Sequence, residues 1–228
     1  MLGKLYHGYE ICGMDNFPKG PAILVFFHGG MPVDNFFLTQ VAYRMTGRTV
    51  RIVTDHLIFQ IPGIQTYITL LGAVHPSREE CVALLKEGHV VSIAPGGLRE
   101  QNYGDKTYKL IWGKRHGFAH TAIEAKVPII PYFTTNIQEG YRVCGNTGIM
   151  RWLYERIRFL VFPVLGPFPV KLRTHIGEPI PYDPNITPEE LFEKAKAAVE
   201  ALRDKHQKIP GSIPRALWER FEVHRKEG

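Results

Sequence analysis

The chain has 228 residues, of which 44% are hydrophobic and 22% charged, so it can build a real core and is neither disordered nor a minimal scaffold. Its 28 Lys and Arg against 22 Asp and Glu give a net charge of +6. Such a balance suits an anionic partner (a lipid headgroup, a phosphate-bearing ligand or nucleic acid), with a plain solubility charge as the competing reading.

Residues 1–21 are turn-rich, with Gly3, Gly8, Gly13, Pro18, Gly20 and Pro21, and read as an irregular lead-in. Met1 is expected to follow a membrane anchor upstream of this chain. Residues 22–27 are a continuous apolar run and read as a buried strand. The run ends in His28-Gly29-Gly30, and Pro32 is placed to open a helix to about Thr46. A second strand is predicted at 49–53. Ser77 caps a helix over 78–87 that stops at Gly88. A third strand at 90–94 is broken by Pro95-Gly96-Gly97. A helix over 117–125 precedes a fourth strand at 127–133, and 168–176 alternates like a further strand. Thr187, Pro188 and Glu190 mark the start of a helix running to His206. Strands alternating with helices predict an α/β fold: one domain over 22–208, a mostly parallel sheet with helices on both faces, and a C-terminal tail or helix over 209–228.

Several chemistries are disfavoured. Cys12, Cys81 and Cys144 form no CxxC pair, which argues against a disulfide framework and a zinc site and favours a reducing compartment. The serines are Ser77, Ser92 and Ser212, and none lies in a nucleophile elbow. GxGxxG, GxxxxGK[ST] and HExxH are missing, and the histidines are dispersed, so no metal or resident cofactor is expected.

Three segments carry candidate chemistry. In the first, a buried strand delivers His28 to a glycine turn, and Asp34 follows at a helix start. An imidazole can serve as general base when a partner fixes its tautomer, and a folded-back turn would let Asp34 be that partner. A structural histidine at a strand end is the alternative. The second is Pro95-Gly96-Gly97-Leu98-Arg99, where glycines let backbone approach a ligand and Arg99 offers a planar fork of donors. A tight turn with a surface arginine is the alternative there. In the third, Lys114 and Arg115 precede a helix N-terminus suited to phosphates; otherwise they form a solvated charge cluster.

With these segments quoted, the chain resembles the glycerolipid (PlsC-like) acyltransferases, whose four blocks occur here in order. The His28…Asp34 segment looks like the family's histidine–aspartate dyad. Gly72 and Arg78 match its second block, Gly97 and Arg99 its third, and residues 127–131 with the upstream Lys114–Phe118 stretch look like its fourth. Two departures stand out. Five residues separate His28 from Asp34 where the family has four, and Gly96 replaces a glutamate. Pro-Gly-Gly followed by Arg99-Glu100 is similar to the diacylglycerol acyltransferase-like branch.

The resemblance implies an acyltransferase that moves a fatty acyl group from acyl-CoA to the hydroxyl of a neutral glyceride, with acyl-CoA as substrate. It implies catalysis by His28 and Asp34, substrate contacts at Arg78, Gly96, Gly97, Arg99, Lys114 and Arg115, and an oxyanion held by backbone at Gly29 and Gly30. It also implies an endoplasmic-reticulum membrane location with the catalytic domain facing the cytosol. A lysophospholipid or glycerol-phosphate acyltransferase is the alternative, as are a non-catalytic lipid-binding domain and a hydrolase using the same dyad. Nucleic acid is not an expected partner, because the basic residues are spread out and many aromatics lie in apolar runs. Residues 151–170 mix Trp152, Tyr154, Phe159 and Phe162 with arginines, the pattern of a bilayer-interface segment or of an amphipathic helix covering the sheet.

Overall fold

The computed structural model describes residues 2–59, 63–143, 145, 147–157 and 165–221. Cys144 and residues 158–164 of the membrane candidate lie outside them. The strands are β1 (Glu10–Cys12), β2 (Ala22–Phe26), β3 (Val50–Val53), β4 (Ala73–Val74), β5 (Val90–Ile93), β6 (Ile129–Thr135) and β7 (Arg173–Ile176). They form one sheet in the order β1-β7-β6-β2-β5-β3-β4. All neighbouring pairs run parallel except β6 with β7.

The helices are α1 (Leu2–His7), α2 (Val33–Thr46), α3 (His56–Phe59), α4 (Ile64–Leu70), α5 (Arg78–Lys86), α6 (Gly97–Tyr103), α7 (Gly117–Ala125), α8 (Ile137–Gly140), α9 (Gly148–Ile157), α10 (Pro188–His206) and α11 (Ile213–Trp218). Two of the longer ones begin as the sequence predicts. Ser77 with Glu80, and Thr187 with Glu190, each form a reciprocal capping box that satisfies two otherwise orphaned amides.

The unbroken apolar run of β2 follows from its central place, because both its faces are covered. Ile23 and Val25 pack with Phe118 and Ala122 of α7 and Phe192 and Ala195 of α10. Ala22, Leu24 and Phe26 pack on the other face with Leu38 and Ala42 of α2. Each such side chain contributes about 1.5–3 kcal/mol on burial. The α/β sandwich with a mostly parallel sheet is therefore as expected.

Two expectations need correction, and one helix was not anticipated. The lead-in is not irregular: it holds α1 and β1, and β1 is an edge strand paired with β7. Short elements whose pairing partner lies some 160 residues away carry little local signal. The strand expected over 168–176 is confined to Arg173–Ile176 and runs antiparallel to β6. The third-block loop turns directly into a helix, α6, at Gly97.

The neighbours β2 and β5 send the chain to opposite faces, to α2 and, through α6, to α7. Adjacent parallel strands that diverge in this way open a crevice at their carboxyl ends, where open α/β sheets bind ligands. His28 and Gly96-Gly97 stand at that edge.

Candidate active site

The chain leaves β2 through Phe27, which is buried, and His28, which is half-buried. The His28 Nδ1 lies 2.7 Å from the Gly29 carbonyl oxygen. A carbonyl oxygen only accepts, so Nδ1 carries the proton and donates it, and Nε2 keeps its lone pair. Burial pushes the imidazole pKa below its ordinary value, and the Gly29 carbonyl opposes part of that shift. A neutral ring with one basic nitrogen results, the form that accepts a proton at pH 7.

The two glycines are required by crowding. A Cβ on Gly29 would stand 2.5 Å from Ile137 Cγ1, and one on Gly30 would stand 2.4 Å from the Tyr141 carbonyl oxygen. The amides of Gly29 and Gly30 have no acceptor among the described residues.

Asp34 does not pair with His28. Among the described residues no hydrogen bond or ion pair joins them, and the Gly29 carbonyl holds the ring nitrogen that the carboxylate was expected to hold. Asp34 lies instead on the buried stripe of α2 with Asn35, Leu38, Thr39 and Ala42, which turns it toward the sheet. It is 1% exposed, and neither carboxylate oxygen has a hydrogen-bond partner. Burial pushes its pKa up to about 6, against the nearby Thr134 hydroxyl and Asn35 amide. Neither offers full compensation, and the Thr134 hydroxyl is shared with Thr174 at 2.8 Å.

The carboxylate that does touch the histidine segment is Glu100 of α6, a residue to which sequence reasoning gave no such role. It is 0% exposed. Its Oε2 accepts the His28 backbone N–H at 2.8 Å and its Oε1 accepts the Ile111 N–H at 2.7 Å. Burial pushes its pKa up to about 7, with the two amides, Trp112 and Arg115 pulling it down. A Cβ on Gly96 would fall 2.5 Å from Glu100 Oε2, so the glycine leaves the space that Glu100 fills. The signal available in the sequence was the spacing: Gly96 and Glu100 are four apart, one helical turn.

Arg115 is less free than expected. Its Nη1 donates to the Gly96 carbonyl at 2.7 Å and the Pro95 carbonyl at 3.2 Å, holding the third-block loop. Gly97 takes a positive φ of 49°, which glycine adopts without strain. Arg99 and Lys114 are exposed. Arg78 opens α5 and is ion-paired to Glu124 of α7 at 3.3 Å. The structure therefore joins His28, Gly29, Gly96, Glu100 and Arg115 in one network and leaves Asp34 and Arg78 out of it. A surface groove of about 490 Å³ between α10 and residues 177–181 includes none of these residues.

The family model named Acyltransferase matches residues 9–135, which span β1 to β6 and every residue of this network. The chain belongs to the acyltransferase family. A Bos taurus protein described as "DGAT1/2-independent enzyme synthesizing storage lipids" is 52% identical over 223 residues, covering 97% of this chain and 67% of that protein. The Homo sapiens protein of the same description is 53% identical over 218 residues, covering 95% of this chain and 67% of its own. Among solved structures, the 1-acyl-sn-glycerophosphate (LPA) acyltransferase PlsC from Thermotoga maritima is similar, with a TM-score of 0.55 and 18% identity over 87% of this chain and 72% of that one. At that identity the likeness speaks to the acyltransferase fold alone.

Of the membrane candidate, α9 exposes Ile149 and Trp152 and buries Tyr154, while Val170 is 0% exposed. Phe159 and Phe162 fall outside the described residues. Among the described residues no helix is long and apolar enough to cross a membrane.

Proposed function

We propose that this acyltransferase moves a fatty acyl group from acyl-CoA to the hydroxyl of a neutral glyceride, with His28 as general base. The observation that carries the reading is the fixed tautomer: Nδ1–H is held by the Gly29 carbonyl, leaving Nε2 basic. The Nε2 lone pair takes the proton of the acceptor hydroxyl, and the hydroxyl oxygen attacks the thioester carbonyl carbon. The unengaged amides of Gly29 and Gly30 are suited to the oxyanion that forms. Its collapse breaks the carbon–sulfur bond, and the imidazolium returns its proton to the departing thiolate. Asp34 has a smaller part than His28, because the tautomer is set without it.

The cations support a neutral acceptor. Arg115 is committed to two carbonyls and Arg78 to Glu124, and the buried Glu100 carboxylate lies beside the third-block glycines. A phosphate-bearing acceptor would meet few free donors there. Exposed Lys114, just ahead of the α7 N-terminus, and exposed Arg99 of α6 suit the phosphates of coenzyme A. The relatives' description as storage-lipid enzymes points the same way.

The protein is also proposed to lie on a bilayer, at the endoplasmic reticulum with this domain in the cytosol. Trp152 is 60% and Trp218 71% exposed, and Leu5, Leu165 and Phe221 are exposed as well. Arg220 donates to the carbonyls of Leu5 and Pro169, which brings a basic side chain next to α1, and exposed apolar side chains with nearby cations suit a bilayer surface. The test offers the purified protein labelled acyl-CoA with monoacylglycerol, diacylglycerol and lysophosphatidate in competition, in wild type and His28→Ala. Glyceride acylation lost in the variant is the expected result. Preferential acylation of lysophosphatidate would replace this reading with a lysophospholipid acyltransferase.

A further inference from the structure

We propose that Glu100 is a positioning residue for the reaction: through the His28 backbone N–H it fixes the turn that aims Nε2 at the acceptor, and Gly96 is glycine to make that contact possible. The inference rests on His28 being the base.

The His28 ring is oriented by the carbonyl of the very next residue, at 2.7 Å. Such a local bond fixes the ring relative to the peptide between Gly29 and Gly30, and not relative to the sheet. Beside the packing of Gly29 and Gly30 on Ile137 and Tyr141, a directional tie comes from the peptide on the other side of His28, whose N–H is held by Glu100 at 2.8 Å. A charged acceptor makes this a stronger bond than a neutral one, and burial strengthens it further.

The second carboxylate oxygen carries the argument further. Oε1 accepts the Ile111 N–H at 2.7 Å, so one rigid group joins the exit of β2 to the segment that leads to Lys114, Arg115 and α7. Arg115 closes the loop from the other side by bonding the Gly96 carbonyl at 2.7 Å. A buried carboxylate is costly to keep, and two amide donors with a nearby guanidinium are what compensate it. The cost of holding Glu100 in place would be hard to explain if it served packing alone, since an apolar side chain would fill the same volume without it. The pKa near 7 adds a consequence: Glu100 must be ionised to accept both bonds fully, so activity is expected to fall as pH drops through that range.

The experiment compares wild type, Glu100→Gln, Gly96→Ala and His28→Ala by heat transition, by kcat and KM for acyl-CoA and diacylglycerol, and by the pH profile of kcat/KM. Gln keeps the size but must turn its NH2 toward one of the two N–H donors. Ala at position 96 puts a Cβ 2.5 Å from Oε2, which displaces the carboxylate while leaving it in the protein. Both variants are expected to remain folded and to lose kcat about 10- to 100-fold, with KM within about twofold. The acid limb should shift toward lower pH in Glu100→Gln, because only His28, whose pKa lies below its ordinary value, then titrates there. Near-normal kcat in both folded variants would overturn the proposal, as would loss of both variants to unfolding, which would make Glu100 a folding residue. If His28→Ala itself stays active, the underlying reading fails instead.

Discussion

Asp34→Asn should make this protein more stable and the gain should depend on pH. Asp34 is an acid whose pKa is raised from 3.8 unfolded to about 6 folded. The native state therefore holds the proton more tightly, and stability is lost as pH rises from about 4 to about 6. Above that window the loss is constant. A shift of about 2.2 units at about 1.36 kcal/mol each gives roughly 3 kcal/mol at pH 8, and below about 1 kcal/mol remains at pH 4. Asparagine cannot ionise, so the variant escapes the loss. It also brings an amide into a region where the Tyr132 hydroxyl has no partner. For a chain of this size the gain at pH 8 corresponds to about 6–12 °C in Tm. Thermal unfolding of both proteins at pH 4 and pH 8 measures it. A variant no more stable than wild type at pH 8, or one with the same gain at both pH values, would refute the reasoning, because Asp34 would then have compensation that its surroundings do not show.

The remaining expectations follow from the same geometry. His28→Ala should lower kcat by roughly a hundredfold or more while the heat transition stays, since a lost general base removes that much; Asp34→Asn should cost less in the same assay. Brominated lipids in anionic vesicles should quench Trp152 and Trp218 but not Trp112, which is 1% exposed; single Trp→Phe variants assign the signal, and quenching of neither exposed tryptophan would remove the bilayer surface. Arg78→Ala should leave the KM for diacylglycerol within about twofold and stability within about 1 kcal/mol, because the ion pair with Glu124 is solvent-exposed; a large rise in KM would restore Arg78 to the acceptor site.

What the sequence made legible here was what depends on local chemistry. The caps at Ser77 and Thr187 are reciprocal pairs three residues apart, and the Ala22–Phe26 strand is apolar throughout because both faces are covered. The place of His28 was legible for a related reason: it stands where the apolar run gives way to glycines, and those glycines mark a backbone that comes close to Ile137 and Tyr141. Long-range pairing was not legible. Glu10–Cys12 is three residues long, and it is a strand only because Arg173–Ile176 lies beside it.

The misplaced partner of His28 shows a second kind of limit. A side-chain pair such as His28 and Asp34 leaves two chemically matched residues in the sequence, so the pair is easy to posit. A side chain that binds a backbone N–H leaves only one, because every residue except proline offers the same donor. Glu100 is of this kind on both its oxygens. Its trace in the sequence is indirect: a glycine four residues earlier, at a place where a side chain would collide with the carboxylate. Gly96 and Glu100 are therefore one feature. A side chain at position 96 would occupy the space that the Glu100 carboxylate, one helical turn later, fills as it reaches back to the His28 turn.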